Sequence, residues 1–198
     1  MPLRHRFLFF FMGLMILSLG LSLTIVADKG ASPYTAFLVG LSQTIGLTVG
    51  SWEFLLGVMF VLICSLIKKS KADYFSLITA FITGLGTDMW LLIFSYCLHP
   101  DFLNVEILLL FLGIILTGLG IATYIKANFS PIPVDGLMLI IMDRLKIKIS
   151  TAKTLFNVIF GTIAFLIGGP VSVGTVLAMF LVGPFIGIFS KMIEKKFG

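Results

Sequence analysis

Residues 7–26 read FLFFFMGLMILSLGLSLTIV, twenty positions without a charge. A segment this long and this apolar matches the ~20 residues an α-helix needs to cross the hydrocarbon of a bilayer. VEILLLFLGIILTGLGIATYI at 105–125 has the same character, and six long apolar segments stand out in all: 7–26, 50–67, 74–96, 105–125, 151–168 and 173–190. Two shorter segments, 33–47 and 131–145, reach only about 21 Å as helices, short of a ~30 Å core. Helices of that length suit re-entrant, interfacial or tilted positions. The composition agrees: 59% hydrophobic and 12% charged, where a soluble domain carries about a quarter charged residues. The expected fold is all-α, a polytopic membrane bundle of six transmembrane helices plus two short helices, forming a single domain over 1–198 with the lipid bilayer as its surroundings.

The formal charge is +5, but the basic residues fall in short clusters between apolar runs, which is the positive-inside pattern and not a nucleic-acid-binding face. With six crossings and both termini cytoplasmic, the inner face collects Arg4 and Arg6, Lys68, Lys69 and Lys71, Lys126, Arg144, Lys146 and Lys148, and Lys191, Lys195 and Lys196, leaving Lys29 outside. Eight crossings would move the 68–71 cluster and Lys126 outside, so the charge bias favours six. The first run follows a basic start, as a signal peptide does, yet its apolar stretch exceeds the ~7–15 residues of a signal core and reads as a retained helix. Cys64 and Cys97 imply neither a disulfide framework nor a metal site. His5 is an inner-rim charge and His99 a loop residue. No metal and no cofactor are expected.

Sliding the first half against the second by 100 positions gives nine identities within 13–60, including Gly13/Gly113, Gly20/Gly120, Ala27/Ala127, Pro33/Pro133 and Phe60/Phe160. Asp28 faces Asn128, and the last spans agree at an offset of 99 through Phe81/Phe180 and Gly84/Gly183. This reads as an internal repeat of span, short helix, span, span, covering 7–96 and 105–190. Three crossings per copy is an odd number, so the second copy enters from the opposite side, an inverted-topology repeat of the kind common in transporters. The polar breaks VADKGASPYTAF (26–37) and KANFSPIPVDGL (126–137) are then the chain reversals of the two copies. Pro33 and Pro131 suit the first turn of a helix, with Ser32 and Ser130 as N-caps and Asp28 and Asn128 serving the reversals.

The third span of each copy carries a weak point, TGLGTD (83–88) and VGPFIG (182–187). Gly84, Gly86, Gly183 and Pro184, with Pro33 and Pro133, are therefore expected as helix breaks, and matched breaks in two halves point to a substrate site. Close helix packing by small residues competes with that reading and is favoured for Gly13/Gly20 and Gly113/Gly120. Among the intramembrane polar residues, Asp88 is the leading site candidate, flanked by Thr87; a charge within a span is costly and so points to function. An anchor at the outer interface is its alternative role. Glu53 and Lys153 occupy equivalent positions, Glu53 as a site group or a favourable charge near its helix start and Lys153 as a snorkelling rim residue. Asp135 opens the second short helix, and Asn157 suits an interhelical hydrogen bond.

The stretch ADKGASPYTAFLVGLSQTIGLTVGSW (27–52) resembles the YczE/YyaS/YitT-type bacterial membrane proteins through Ala27, Asp28, Gly30, Pro33, Gly40, Leu41, Ser42, Thr44, Gly46, Leu47, Thr48, Val49 and Gly50. Where that family often has a tryptophan–aspartate pair after the proline, this chain has Tyr34-Thr35, and Pro133-Val134-Asp135 is the copy that carries an acid. The resemblance implies a multi-pass protein of the bacterial plasma membrane, of a group presumed to transport. No catalytic motif is present, so an enzyme is not expected. The leading expectation is a transporter or permease for a small solute or ion, with Asp88, Glu53, Asp28, Asp135, Asn128, Asn157 and Thr87 along its path. The alternatives are a substrate-binding membrane subunit served by a partner ATPase, or a non-transporting scaffold; a homo-oligomer also fits.

Overall fold

The computed structural model describes residues 3–69, 71–98 and 102–197, so that His99 lies outside the described residues. Among them the chain forms eight helices and no strand: α1 (Leu3–Val26), α2 (Pro33–Ile45), α3 (Val49–Lys68), α4 (Tyr74–Cys97), α5 (Leu103–Lys126), α6 (Pro133–Leu145), α7 (Ile149–Leu166) and α8 (Val173–Phe197). Five of them, α1, α3, α4, α5 and α8, are long and apolar enough to cross a membrane. The 18 residues of α7 give about 27 Å, close to the hydrocarbon thickness. The 13-residue helices α2 and α6 are short, as expected, and the whole is a membrane helix bundle.

The helix boundaries recur along the chain. α1, α2 and α3 start at 3, 33 and 49, and α5, α6 and α7 at 103, 133 and 149, a difference of 100 each time; α4 and α8 start at 74 and 173, 99 apart. The turns recur with them. Asp28 and Asn128 have φ of 48° and 53°, Gly46 and Lys146 of 96° and 53°, Lys69 and Gly168 of 51° and 77°. Left-handed backbone is tolerated best by Gly, Asn and Asp, which explains the Asx pair at 28 and 128.

The two halves of the chain meet along α1 and α5, which run antiparallel. A Cβ on Gly13 would collide with the Tyr124 backbone, one on Gly20 would lie 2.5 Å from Thr117 N, one on Gly120 would collide with Leu17, and one on Gly113 would lie 2.7 Å from Thr24 Cγ2. The seven-residue glycine spacing thus brings backbone against backbone, where packing and not hydrophobicity holds membrane helices together. Both ends of the pair are clasped. Arg6 donates to the carbonyls of Ala127 and Asn128, each at 2.8 Å, with its guanidinium 5.0 Å from the Phe129 ring centre. At the other end, Glu106 pairs with Lys29 at 2.9 Å.

The remaining contacts follow the same exchange of copies: α1 packs on α4 as α5 packs on α8, and α3 packs on α6 as α7 packs on α2. The largest departure is α3 on α4. α3 lies along α4, with Gly84 so close that its Cβ would sit 2.5 Å from Gly50 O. The equivalent α7 does not pack along α8, and nothing lies within 4 Å of the Cβ position of Gly183.

Two expectations need correction. The helix breaks at Gly84, Gly86, Gly183 and Pro184 are absent, because α4 and α8 run unbroken through them, Pro184 inside α8. Gly84 and Gly86 instead admit Gly50 and Ser18, and a membrane helix accommodates an internal proline readily. Only Pro33 and Pro133 mark interruptions, each opening a short helix at its first turn. Finally, Ser32 caps α2 through Thr35 N, but Pro131 and Ser130 do not open α6, which starts after Ile132 with no side-chain cap. That turn docks elsewhere: Ser130 Oγ donates to Asp73 Oδ1 at 2.9 Å and Ser76 Oγ to Pro131 O at 2.7 Å.

Gly20→Ala should lower the unfolding free energy by about 1–3 kcal/mol through overpacking. Gly136→Ala, with open space around it, should be neutral or slightly stabilising. Thermal unfolding in mild detergent distinguishes the two.

Candidate functional site

A cavity of about 160 Å³ lies between the copies, and all eight helices contribute to its wall. The lining follows the 100-residue offset, as in Leu17/Thr117, Leu21/Ile121, Thr35/Asp135, Leu38/Met138 and Glu53/Lys153. The site is therefore built where equivalent positions face one another across the α1–α5 seam. Most of the wall is apolar, with the polar groups concentrated on α2, α3, α6 and α7.

Glu53 stands one turn into α3 and is 3% exposed. Among the described residues no hydrogen bond or ion pair reaches its carboxylate, and Asp88 is the charge that acts on it. Asp135, in the first turn of α6, is half-buried within electrostatic reach of Lys153. Lys153 is exposed at the edge of the cavity, where α7 stands away from α8. Asn157 follows one turn later. The hydroxyls of Thr87 (1% exposed) and Thr117 (6% exposed) are buried without a hydrogen-bond partner, and both residues line the cavity. Unsatisfied buried hydroxyls are costly.

Of the residues singled out from sequence, the cavity gathers Glu53, Asp135, Asn157, Thr87 and Pro33. It leaves out Asp28 and Asn128, which are exposed at the turns after α1 and α5. Asp88 lies outside the lining as well. Its Oδ2 accepts from Thr48 Oγ1 at 2.5 Å and its Oδ1 from Gly50 N at 2.8 Å, fastening α4 to the start of α3 behind Glu53. Gly84, Gly86, Gly183, Pro184 and Pro133 do not line it either; Pro133 packs near Gly57. Lys153, Tyr34 and Thr117 are the residues that sequence reasoning missed. The equivalence of Glu53 and Lys153 was the available signal for Lys153, since a position one repeat away from a cavity acid faces the same space.

Among the described residues no group of three or more His, Cys, Asp or Glu side chains is arranged to hold a metal. Cys64 borders a second cavity of about 300 Å³ at the α3–α4 turn, with Lys68, Lys71 and Asp73.

Residues 4–191 match a protein family described as a family of unknown function, DUF6198. The chain belongs to the DUF6198 family. Its relatives include the uncharacterized protein YyaS of Bacillus subtilis (strain 168), 39% identical over 192 residues covering 97% of this chain and 96% of that protein. The uncharacterized membrane protein YczE of the same organism is 31% identical over 180 residues, covering 90% and 82%. An uncharacterized protein of Haemophilus influenzae is 25% identical over 190 residues, covering 92% and 82%. Kinship with YyaS and YczE agrees with the resemblance seen in residues 27–52. No solved structure matches this DUF6198 chain.

Asp88→Ala removes both hydrogen bonds to the start of α3 and should cost about 2–3 kcal/mol. Asp88→Asn keeps an oxygen acceptor for Gly50 N and should recover part of that loss. Denaturant unfolding in detergent reads both.

Proposed function

We propose that this chain is a transporter for a small solute or ion, working by alternating access between two inverted repeats, 7–96 and 105–190, in the cell membrane with both termini cytoplasmic. It is not an enzyme in this reading. The observation that carries the proposal is the unequal state of two equivalent helix pairs around one cavity. α3 and α4 touch through Gly50 and Gly84 and are fastened by Asp88, whereas α7 stands away from α8 beside the same cavity. Two inverted copies that take up different arrangements around a shared site give access from one side at a time.

The charge distribution orients the cycle. Lys146, Lys148 and Lys153 flank the open end, which makes it the cytoplasmic one by the positive-inside bias. The α3–α4 contact is then the closed outer gate. In the opposite state, α7 closes on α8, and Gly183 supplies the close approach that Gly84 supplies now. A small residue with no present neighbour is explained by that exchange. A substrate-binding subunit that docks on a partner ATPase is the second reading, favoured by α8, whose apolar window is 17% buried against 33–50% for the other four long helices. A scaffold would use the same face.

The test places Asn157→Cys in a chain carrying Cys64→Ser and Cys97→Ser. A membrane-impermeant maleimide should reach it from the cytoplasmic side only. Gly50→Ala, which forces α3 from α4, should add reactivity from the outside, while Gly183→Ala should leave the inward state intact and slow solute flux in proteoliposomes. Equal labelling from both sides in every background, with no flux for any solute class, would sink the proposal. Copurification of a stoichiometric ATPase would favour the second reading.

A further inference from the structure

We infer that the central cavity selects a small organic cation, an ammonium group on a compact apolar body. The inference rests on the transport reading above and names its substrate class.

Charge comes first. The charged groups lining the cavity among the described residues are Glu53, Asp135 and Lys153. Lys153 acts on Asp135 and is exposed at the cavity edge, and with Glu53 the three groups sum to a net negative charge. Glu53 is the deep group, and the only charge acting on it among the described residues is another carboxylate, Asp88. A buried carboxylate with a like charge behind it is stabilised by a cation on its cavity side. An anion would meet net negative charge. A zwitterion would need an interior cation, and Lys153, the cation of the lining among the described residues, stands at the exposed edge.

Hydrogen bonding agrees. The Thr87 and Thr117 hydroxyl oxygens, buried and without partners, can accept from the N–H groups of an ammonium. The walls decide between inorganic and organic cations. Hard metal ions take six or more oxygen ligands, and no such group converges here among the described residues. Instead the wall offers aromatic rings, Tyr34, Phe156 and Phe160, with Phe160 5.3 Å from Tyr34 and 5.8 Å from Phe156 between ring centres. Aromatic faces attract organic cations, and Met138 and Met179 adapt to their apolar part. The volume of 160 Å³ is near that of a cavity that admits benzene, about 150 Å³, so the apolar body is small.

The experiment uses the full chain in lipid nanodiscs and three probes of one shape: n-butylammonium chloride, sodium butyrate and 1-butanol. Butylammonium should raise the thermal midpoint saturably, and the other two should not. Glu53→Gln should weaken the apparent affinity by about tenfold or more, with Glu53→Asp restoring most of it and Glu194→Gln, at the far end of α8, leaving it unchanged. A readout that needs no change at Glu53 is protection of Asn157→Cys from maleimide, expected from butylammonium alone. Protection by butyrate, equal protection by butanol, or none by butylammonium overturns the inference. The transport reading is judged separately, by the sidedness of Asn157→Cys labelling without any ligand.

Discussion

The close approach of α1 and α5 is the interaction on which the rest depends. In a bilayer the lipid tails are as apolar as leucine, so burial does not drive two helices together; contact must be gained by fitting backbones closely. Gly13, Gly20, Gly113 and Gly120 permit that fit along residues 13–24 of α1 and 113–124 of α5. Once α1 and α5 are locked antiparallel, the helices that follow each of them are placed in opposite senses. α2 and α6 fold back at the left-handed turns of Asp28 and Asn128 and bring Thr35 and Asp135 to a common space. The cavity is thus a consequence of the seam.

Equivalent positions have kept their places and exchanged their chemistry. At the ends of the seam, Arg6 holds the turn of Ala127 and Asn128 while its counterpart Glu106 holds Lys29. In the cavity wall Glu53 answers to Lys153, and Thr35 to Asp135. Identical copies would give a symmetric cavity with matching ends. The exchange gives a carboxylate deep inside and an ammonium at the rim, so one end of the space differs electrostatically from the other. The same asymmetry appears in the helix pairs α3–α4 and α7–α8. Asp88 fastens α3 to α4, and its counterpart 99 residues on is Gly187, whose Cβ position has no neighbouring helix within 4 Å.

Helix positions were legible in the sequence because each apolar run is long and carries at most one charge, and the repeat because the glycines and the proline that make turns and close contacts recur at one offset. At Gly84, Gly86 and Gly183 a membrane-helix glycine has two readings, and the sequence alone does not choose between them without knowing what lies opposite. Gly84 and Gly86 proved to be contacts because Gly50 and Ser18 stand against them, facts that live in tertiary structure. Asp88 and Glu53 look alike as isolated acids. Their different environments follow from Gly50 N and the Thr48 hydroxyl, which satisfy Asp88 and leave Glu53 facing the cavity. Lys153 is the rim residue the sequence suggested, but that it also lines the cavity depends on how far α7 stands from α8, which no local pattern encodes.

The central claim is that the two copies are embedded with opposite orientation. It is tested most directly by the sidedness of the two turns that begin them, at Asp28 and Asn128, both exposed. Asp28→Cys and Asn128→Cys, introduced singly in a chain without other cysteines, should react with an impermeant maleimide from opposite faces of the membrane, Asp28→Cys from outside and Asn128→Cys from within. Labelling of both from the same face would contradict the account.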